Sequence, residues 1–342
     1  MLAWLKILAI SVTFLMSAFA AKVVKLSSKE IKFLKYLGKL VPPLTDSLHK
    51  GQMGRIGIIG GSADFTGAPY YAASASLKFG GDLSYVFCAK QAAVPIKSYS
   101  PELMVTPIWD DESSTSSANG IAAKIIEYFP RLHSLVIGPG LGRQEKVLEA
   151  IKAICVKAKE KALPLVLDAD ALYMLSLSAG NLDIIKGYDK CLITPNKMEF
   201  DRLLRASQLT ISEEASAVVK VAALAEFLNG PTVLLKGAHD LVCQDGHTVY
   251  ELEEQGSLRR CGGQGDVLAG CLGTTVHWAL NYPCTQEIEE GAHGPGLNAA
   301  FLASIVTKKA AEAAFEGSGR SMTTPDILPK IGVALGIIEG AR

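Results

Sequence analysis

From residue 55 onward this chain is built of short apolar runs that stop at glycine or a polar residue, each followed by a stretch with helical spacing. Arg55-Ile56-Gly57-Ile58-Ile59 runs into Gly60 and Gly61. Residues 134–137 run into Gly138-Pro139-Gly140-Leu141-Gly142. Runs of this length, halted by glycine, read as buried strands entering loops. Residues 83–89, 164–168, 191–194 and 232–235 are further strand candidates. Apolar residues at helical spacing mark helices at 68–79, 118–129, 146–162, 171–176, 199–206, 212–228, 266–280, about 292–315 and 325–338. Residues 240–243 and 248–252 read as a small hairpin around Asp245-Gly246. Strands alternating with helices predict an α/β fold, with a mostly parallel central sheet covered by helices on both faces. Residues 25–50 read as a polar, basic helix and an approach to the first strand. No linker or change of composition follows, so one domain is expected over 28–340.

Open α/β sheets bind ligands at the carboxyl ends of their strands. Asp168, Asp170, Asn196, Lys236 and the loop before Asp266 all fall near predicted strand ends or helix starts. They are expected on one face. Lys plus Arg and Asp plus Glu both number 34. With no net charge there is no global field to draw nucleic acid or an anionic membrane. A phosphorylated ligand must then be held by backbone N–H groups and a few basic side chains. The 7 Cys include no CxxC pair, so the usual zinc spacings are absent and buried free thiols are expected.

Residues 7–20 are almost wholly apolar, follow Lys6, and end in Ala18-Phe19-Ala20. Residues 1–21 therefore read as a targeting segment. A secretory signal peptide is favoured, and a mitochondrial presequence is the rival. If the segment is unused, the cytoplasm follows. No other stretch is long and apolar enough to span a membrane, so the mature protein is expected to have no span.

The strongest local signal is Arg259-Arg260-Cys261-Gly262-Gly263-Gln264-Gly265-Asp266. Three glycines before an apolar helix offer unhindered N–H groups at the positive end of the helix. Such a nest suits a phosphate or a developing negative charge. Asp266 then reads either as the base that takes a hydroxyl proton during phosphoryl transfer or as a helix N-cap. Asn196 and Glu199, three apart, read either as oxygen ligands to hydrated Mg²⁺ or as a capping box. One carboxylate of Asp168 and Asp170 faces a ligand or Mg²⁺ if the strand continues, while the other caps the next helix. The Gly60–Tyr70 loop either closes a site or packs its helix closely. No G-x-x-x-x-G-K-[ST] occurs, and Gly138-x-Gly140-x-Gly142 lacks the dinucleotide spacing. There is no HExxH and no G-x-S-x-G.

Five motifs stand in order: Gly138 to Arg143, Asp168 to Leu172, Thr194 to Phe200, Lys236-Gly237 with Asp240, and Arg260 to Asp266. Gly319 to Thr324 closes the set. Together they resemble the eukaryotic ATP-dependent (S)-NAD(P)H-hydrate dehydratase family of the ribokinase-like superfamily, over nearly all of residues 30–340. The resemblance implies dehydration of the S form of hydrated NADH and NADPH back to NAD(P)H, with ADP and phosphate released: a repair reaction. It makes Asp266 the base and Gly262, Gly263 and Gly265 the anion hole. It implies ATP contacts over Lys236, Gly237, Ala238, His239 and Asp240, and over Gly256, Ser257, Leu258, Arg259, Arg260, Cys261, Gly262, Gly263, Gln264 and Gly265. It implies contacts to the hydrated cofactor at Gly140, Asn196, Lys197, Met198, Glu199, Phe200, Asp201, Arg202 and Asp266. Mg²⁺ at Asn196 and Glu199, through water, is implied as well, as is a functional partnership with an NAD(P)HX epimerase. Members of the superfamily often self-associate. The alternative is a ribokinase-like small-molecule kinase that phosphorylates a hydroxyl without elimination.

Overall fold

The computed structural model describes residues 21–112, 117–282 and 293–341. Its ten strands are β1 Lys22–Leu26, β2 Arg55–Ile59, β3 Leu83–Ala89, β4 Met104–Trp109, β5 Ser134–Ile137, β6 Leu165–Leu167, β7 Cys191–Ile193, β8 Thr232–Leu235, β9 Asp240–Cys243 and β10 Thr248–Leu252. They form one sheet in the order β1-β10-β9-β8-β7-β6-β5-β2-β3-β4. Pairing is parallel from β8 through β4, β9 runs antiparallel to both neighbours, and β1 joins β10 in parallel.

Every residue of β5, β6, β7 and β8 is buried. Successive side chains point to opposite faces, so continuous burial means that both faces are covered. Helices Gly67–Phe79, Gln264–Asn281 and Pro295–Ser318 pack in sequence against one another and the sheet. Ala118–Ile126 with Glu145–Glu160, and Ala217–Leu228, cover it elsewhere. The architecture is the expected α/β one.

The sheet begins before the domain boundary expected at residue 28, because β1 pairs with β10 over Lys22 to Leu26. Lys25 Nζ ties this edge to Glu253 at 2.5 Å and to Glu251 at 3.6 Å. Residues 1–20, and with them nearly all of the targeting segment, lie outside the described residues, as does Cys284. Among the described residues no helix is long and apolar enough to cross a membrane. Six cysteines there are free, and five of them are buried.

Candidate active site

The sheet ladder itself aligns the loops at its carboxyl edge. Gly138 N–H donates to Ile59 O at 3.0 Å, Asp168 N–H to Ile137 O at 3.0 Å, and Thr194 N–H to Leu167 O at 3.2 Å. Lys236 N–H donates to Pro195 O at 2.9 Å. The first residue beyond each strand is thus pinned to its neighbour, so the loops stand in a row. Gly138 has φ +123°, and a Cβ there would sit 1.8 Å from Asp168 O. Only glycine lets these two loops lie so close.

Asp168 and Asp170 diverge, as strand alternation predicts. Buried Asp168 accepts from Lys236 Nζ at 2.7 Å, and that ammonium lies 4.0 Å from Glu199 Oε2. Asp170 turns the other way and accepts from Gly142 N–H at 3.0 Å and Arg143 Nε at 3.1 Å. It ties down the Gly138–Arg143 loop and does not cap its own helix. Between them Ala169 holds φ +47°, a strained conformation for a residue with a Cβ.

Helix Gln264–Asn281 points its N-terminus into this row. Its cap is Gly263, in the left-handed region, so Asp266 is the third helical residue and not the cap. The Asp266 carboxyl makes no hydrogen bond with another described residue. Burial first, then the nearby Asp168 carboxylate, pushes its carboxyl up to about 7, while Lys236 pulls it back. An acid poised near neutrality beside a cleft is a functional-site signature.

Two cavities meet at this point. A cleft of about 700 Å³ is lined by Ser62 to Phe65, Asp111, Gly140 to Gln144, Ala169, Asp170 and Asp266. The Gly60–Tyr70 loop therefore closes a site. A smaller pocket of about 150 Å³ is lined by Lys236, Gly237, Ala238, Asp240, Gly256, Arg260, Gln264 and Gly265, with Ser304 and Lys308 opposite. Asp266 belongs to the first cavity and Gly265 to the second.

Several residues expected at the site line neither cavity. Phe200 is in the core at 3 % exposure, because it faces inward from helix Lys197–Ser207. Lys197, Met198 and Asp201 are on the surface. Asn196 and Glu199 complete a capping box: Glu199 N–H donates to Asn196 Oδ1, and Asn196 N–H to Glu199 Oε2. With Asn196 Oδ1 and Glu199 Oε2 engaged and the Lys236 ammonium 4.0 Å from the latter, the pair suits contact with Mg²⁺ through water better than direct coordination. Leu258 is exposed, and His239 turns out toward Glu251 at 3.1 Å. Buried Ser257 donates its hydroxyl to Arg259 O. Asp240 is committed internally, accepting from Gly237 N–H at 2.8 Å, Ser304 Oγ at 2.6 Å and Lys308 Nζ at 3.2 Å. Its carboxylate shapes the turn that lines the small pocket.

Two participants, Lys308 and Tyr71, carry no signal of a role in the sequence, and a third, Thr324, ends the Gly319–Thr324 motif without a role read for it. Lys308 Nζ donates to Ala238 O at 2.7 Å and bridges the turn from a helix some way along the chain. Thr324 Oγ1 donates to Gly262 O at 2.5 Å. The Tyr71 ring lies where a Gly263 side chain would go, with Cδ2 2.8 Å from the Cβ position.

Known proteins share this fold, and some share much of the sequence. The NAD(P)H-hydrate dehydratase family matches residues 56–332, the span that carries every strand-end loop described above. The ATP-dependent (S)-NAD(P)H-hydrate dehydratase of Bos taurus is 42% identical over 304 residues, which cover 88% of this chain and 87% of that one. Among solved structures, a ribokinase-like superfamily protein from Enterococcus faecalis superposes with TM-score 0.72 at 19% identity, covering 92% of this chain and 96% of that one. The ADP/ATP-dependent NAD(P)H-hydrate dehydratase from Bacillus subtilis, co-crystallized with ATP/Mg²⁺, gives 0.62 at 20% identity over 93% and 100%. The structural likenesses establish the fold. The family match spans most of the chain and the Bos taurus relative is 42% identical over 88% of it, and on that ground the chain belongs to the NAD(P)H-hydrate dehydratase family.

Proposed function

We propose that this chain is an ATP-dependent hydro-lyase that restores NADH and NADPH from their hydrated S forms. The observation that carries this reading is the position of Asp266, a carboxyl held near neutral pH where a large cleft meets a small pocket. The cleft takes the hydrated dinucleotide and the pocket takes ATP. The activity named for the relatives supports the chemistry, and the geometry around Asp266 supports this location for it.

Hydroxide is a poor leaving group and phosphate a good one. Asp266 takes the proton of the ring hydroxyl as its oxygen attacks the γ-phosphorus. The bond from that phosphorus to the ADP oxygen breaks, and the charge that develops is met by N–H groups of the Gly262–Gly265 nest at the helix N-terminus. The C6–O bond then breaks, the electron pair leaves with phosphate, C5 gives a proton to the departing phosphate, and the C5–C6 double bond returns. Mg²⁺ is expected to arrive with ATP and to neutralise its phosphates. Glu199 and Asn196 are placed to contact it through water.

The test is to incubate the full chain with hydrated NADH, ATP and Mg²⁺ and follow the absorbance of reduced nicotinamide. Recovery of absorbance with one phosphate released per NADH supports the reading. A stable phosphorylated product would make the protein a kinase instead.

A further inference from the structure

The large cleft has an unusual charge balance. Among its described lining residues Asp64, Asp111, Asp170 and Asp266 are acidic, and Arg143 is the one Lys or Arg. Asp111 is engaged internally, accepting from Ala63 N–H at 2.9 Å and Trp109 Nε1 at 3.0 Å. Arg143 is held on two sides. Its Nε donates to Asp170 Oδ1 at 3.1 Å, and its guanidinium carbon lies 4.1 Å from the centroid of the Tyr173 ring. Asp170 is itself fixed by Gly142 N–H. The side chain is nevertheless 55% exposed, and neither terminal nitrogen of the fork has a partner among the described residues. A stacked, laterally paired guanidinium has lost much of its rotational freedom and presents its remaining donors in a plane.

We infer that Arg143 is the phosphate-recognition residue of the large cleft, binding a phosphate group of the pyridine dinucleotide. This rests on the proposed function. Among the described lining residues, whose other ionised side chains are acidic, a ligand with about two to four negative charges has one Lys or Arg to meet. Ribose hydroxyls are donors, and they suit the carboxylates. The phosphate can come from the pyrophosphate bridge, common to NADH and NADPH, or from the 2′-phosphate of NADPH alone.

The experiment compares Arg143→Met and Arg143→Lys with the unaltered chain, by calorimetric binding of NADH and NADPH and by KM for hydrated NADH, hydrated NADPH and ATP. Loss of charge-assisted hydrogen bonds predicts that Arg143→Met weakens dinucleotide binding about 10- to 100-fold, with KM for ATP and Tm unchanged. Arg143→Lys, which keeps the charge but loses the fork, falls between. Equal losses for both dinucleotides assign the pyrophosphate, and a loss confined to NADPH assigns the 2′-phosphate. Changes under about twofold for both dinucleotides, or a rise in KM for ATP alone, would overturn the assignment. If the unaltered chain binds NADH and NADPH but turns over neither hydrate, the proposed function fails, while the binding comparison still decides the role of Arg143.

Discussion

One ammonium serves two carboxylates: Lys236 Nζ lies 2.7 Å from Asp168 Oδ1 and 4.0 Å from Glu199 Oε2. Three neighbouring strand-end loops thereby meet beneath the glycine nest, where a Gly265 Cβ would lie 3.3 Å from the same nitrogen. Burial opposes the charge on Lys236, but the Asp168 and Glu199 carboxylates hold its pKa above the ordinary lysine value. Lys236→Met leaves buried Asp168 without a counter-charge. Breaking one side of such a pair costs about 3–5 kcal/mol, so Tm should fall by roughly 5–15 °C. The double variant Lys236→Met/Asp168→Asn should recover part of that loss in a thermal melt.

The elevated carboxyl of Asp266 sets the pH profile. A base must be ionised to accept a proton, so kcat/KM should rise with pH and level off above about 7. Asp168→Asn removes a neighbouring negative charge and should move this acidic limb to lower pH. Rate measurements between about pH 5 and about pH 9, at fixed ionic strength, check both. An unmoved limb in Asp168→Asn would mean that another group sets it.

Asp266→Asn should retain ATP binding and lose turnover by about 10²- to 10⁴-fold, the usual worth of a general base. The same change should stabilise the fold. The folded-state pKa of Asp266 lies above its ordinary value, so the folded protein prefers the proton, and stability is lost as pH rises from about 3.8 through about 7. The neutral amide escapes that loss. Melting curves should show the variant more stable than the unaltered chain at about pH 8, by on the order of 1–4 kcal/mol, and no more stable at about pH 4.

Gly263 and Gly262 should respond differently to alanine. Gly263 has φ +96°, and an added Cβ would stand 2.8 Å from both Thr324 Oγ1 and Tyr71 Cδ2; at Gly262 nothing lies within 4 Å. Gly263→Ala strains the backbone and pushes the loop out of place. Its kcat should fall at least tenfold, about 1.4 kcal/mol or more in transition-state stabilisation. Gly262→Ala should fold normally, and any loss of its kcat then reports a phosphoryl group passing close to that residue.

The parts of this fold that were legible are those where local chemistry and tertiary role agree. β3, β5, β8, β9 and β10 coincide with apolar runs bounded by turn residues, and β5, β8 and β9, buried along their whole length, have little else to be. Residues 90–109 gave no reading, and proline explains the silence. Helix Lys90–Tyr99 contains Pro95, and β4 contains Pro107, which is tolerated because β4 is an edge strand. β1 is short and largely exposed, so its pattern was too weak to separate from an approach segment. At the site, Asp266 and its glycines stand together in the chain and were visible together. Lys308 was not, because its role comes from packing against a turn that is distant in sequence. Asn196 and Glu199 were ambiguous for the opposite reason: the spacing that suits a metal also suits a capping box, and here the box is what forms.

Among the described residues the two cavities have no lining residue in common, yet they are joined through consecutive residues, Gly265 and Asp266. Donor and acceptor can therefore be resident simultaneously, with no need for the protein to carry the phosphoryl group between visits. Initial rates plotted against one ligand at several fixed concentrations of the other should give intersecting lines, and ADP should be able to depart by its own door while the repaired dinucleotide is still in place.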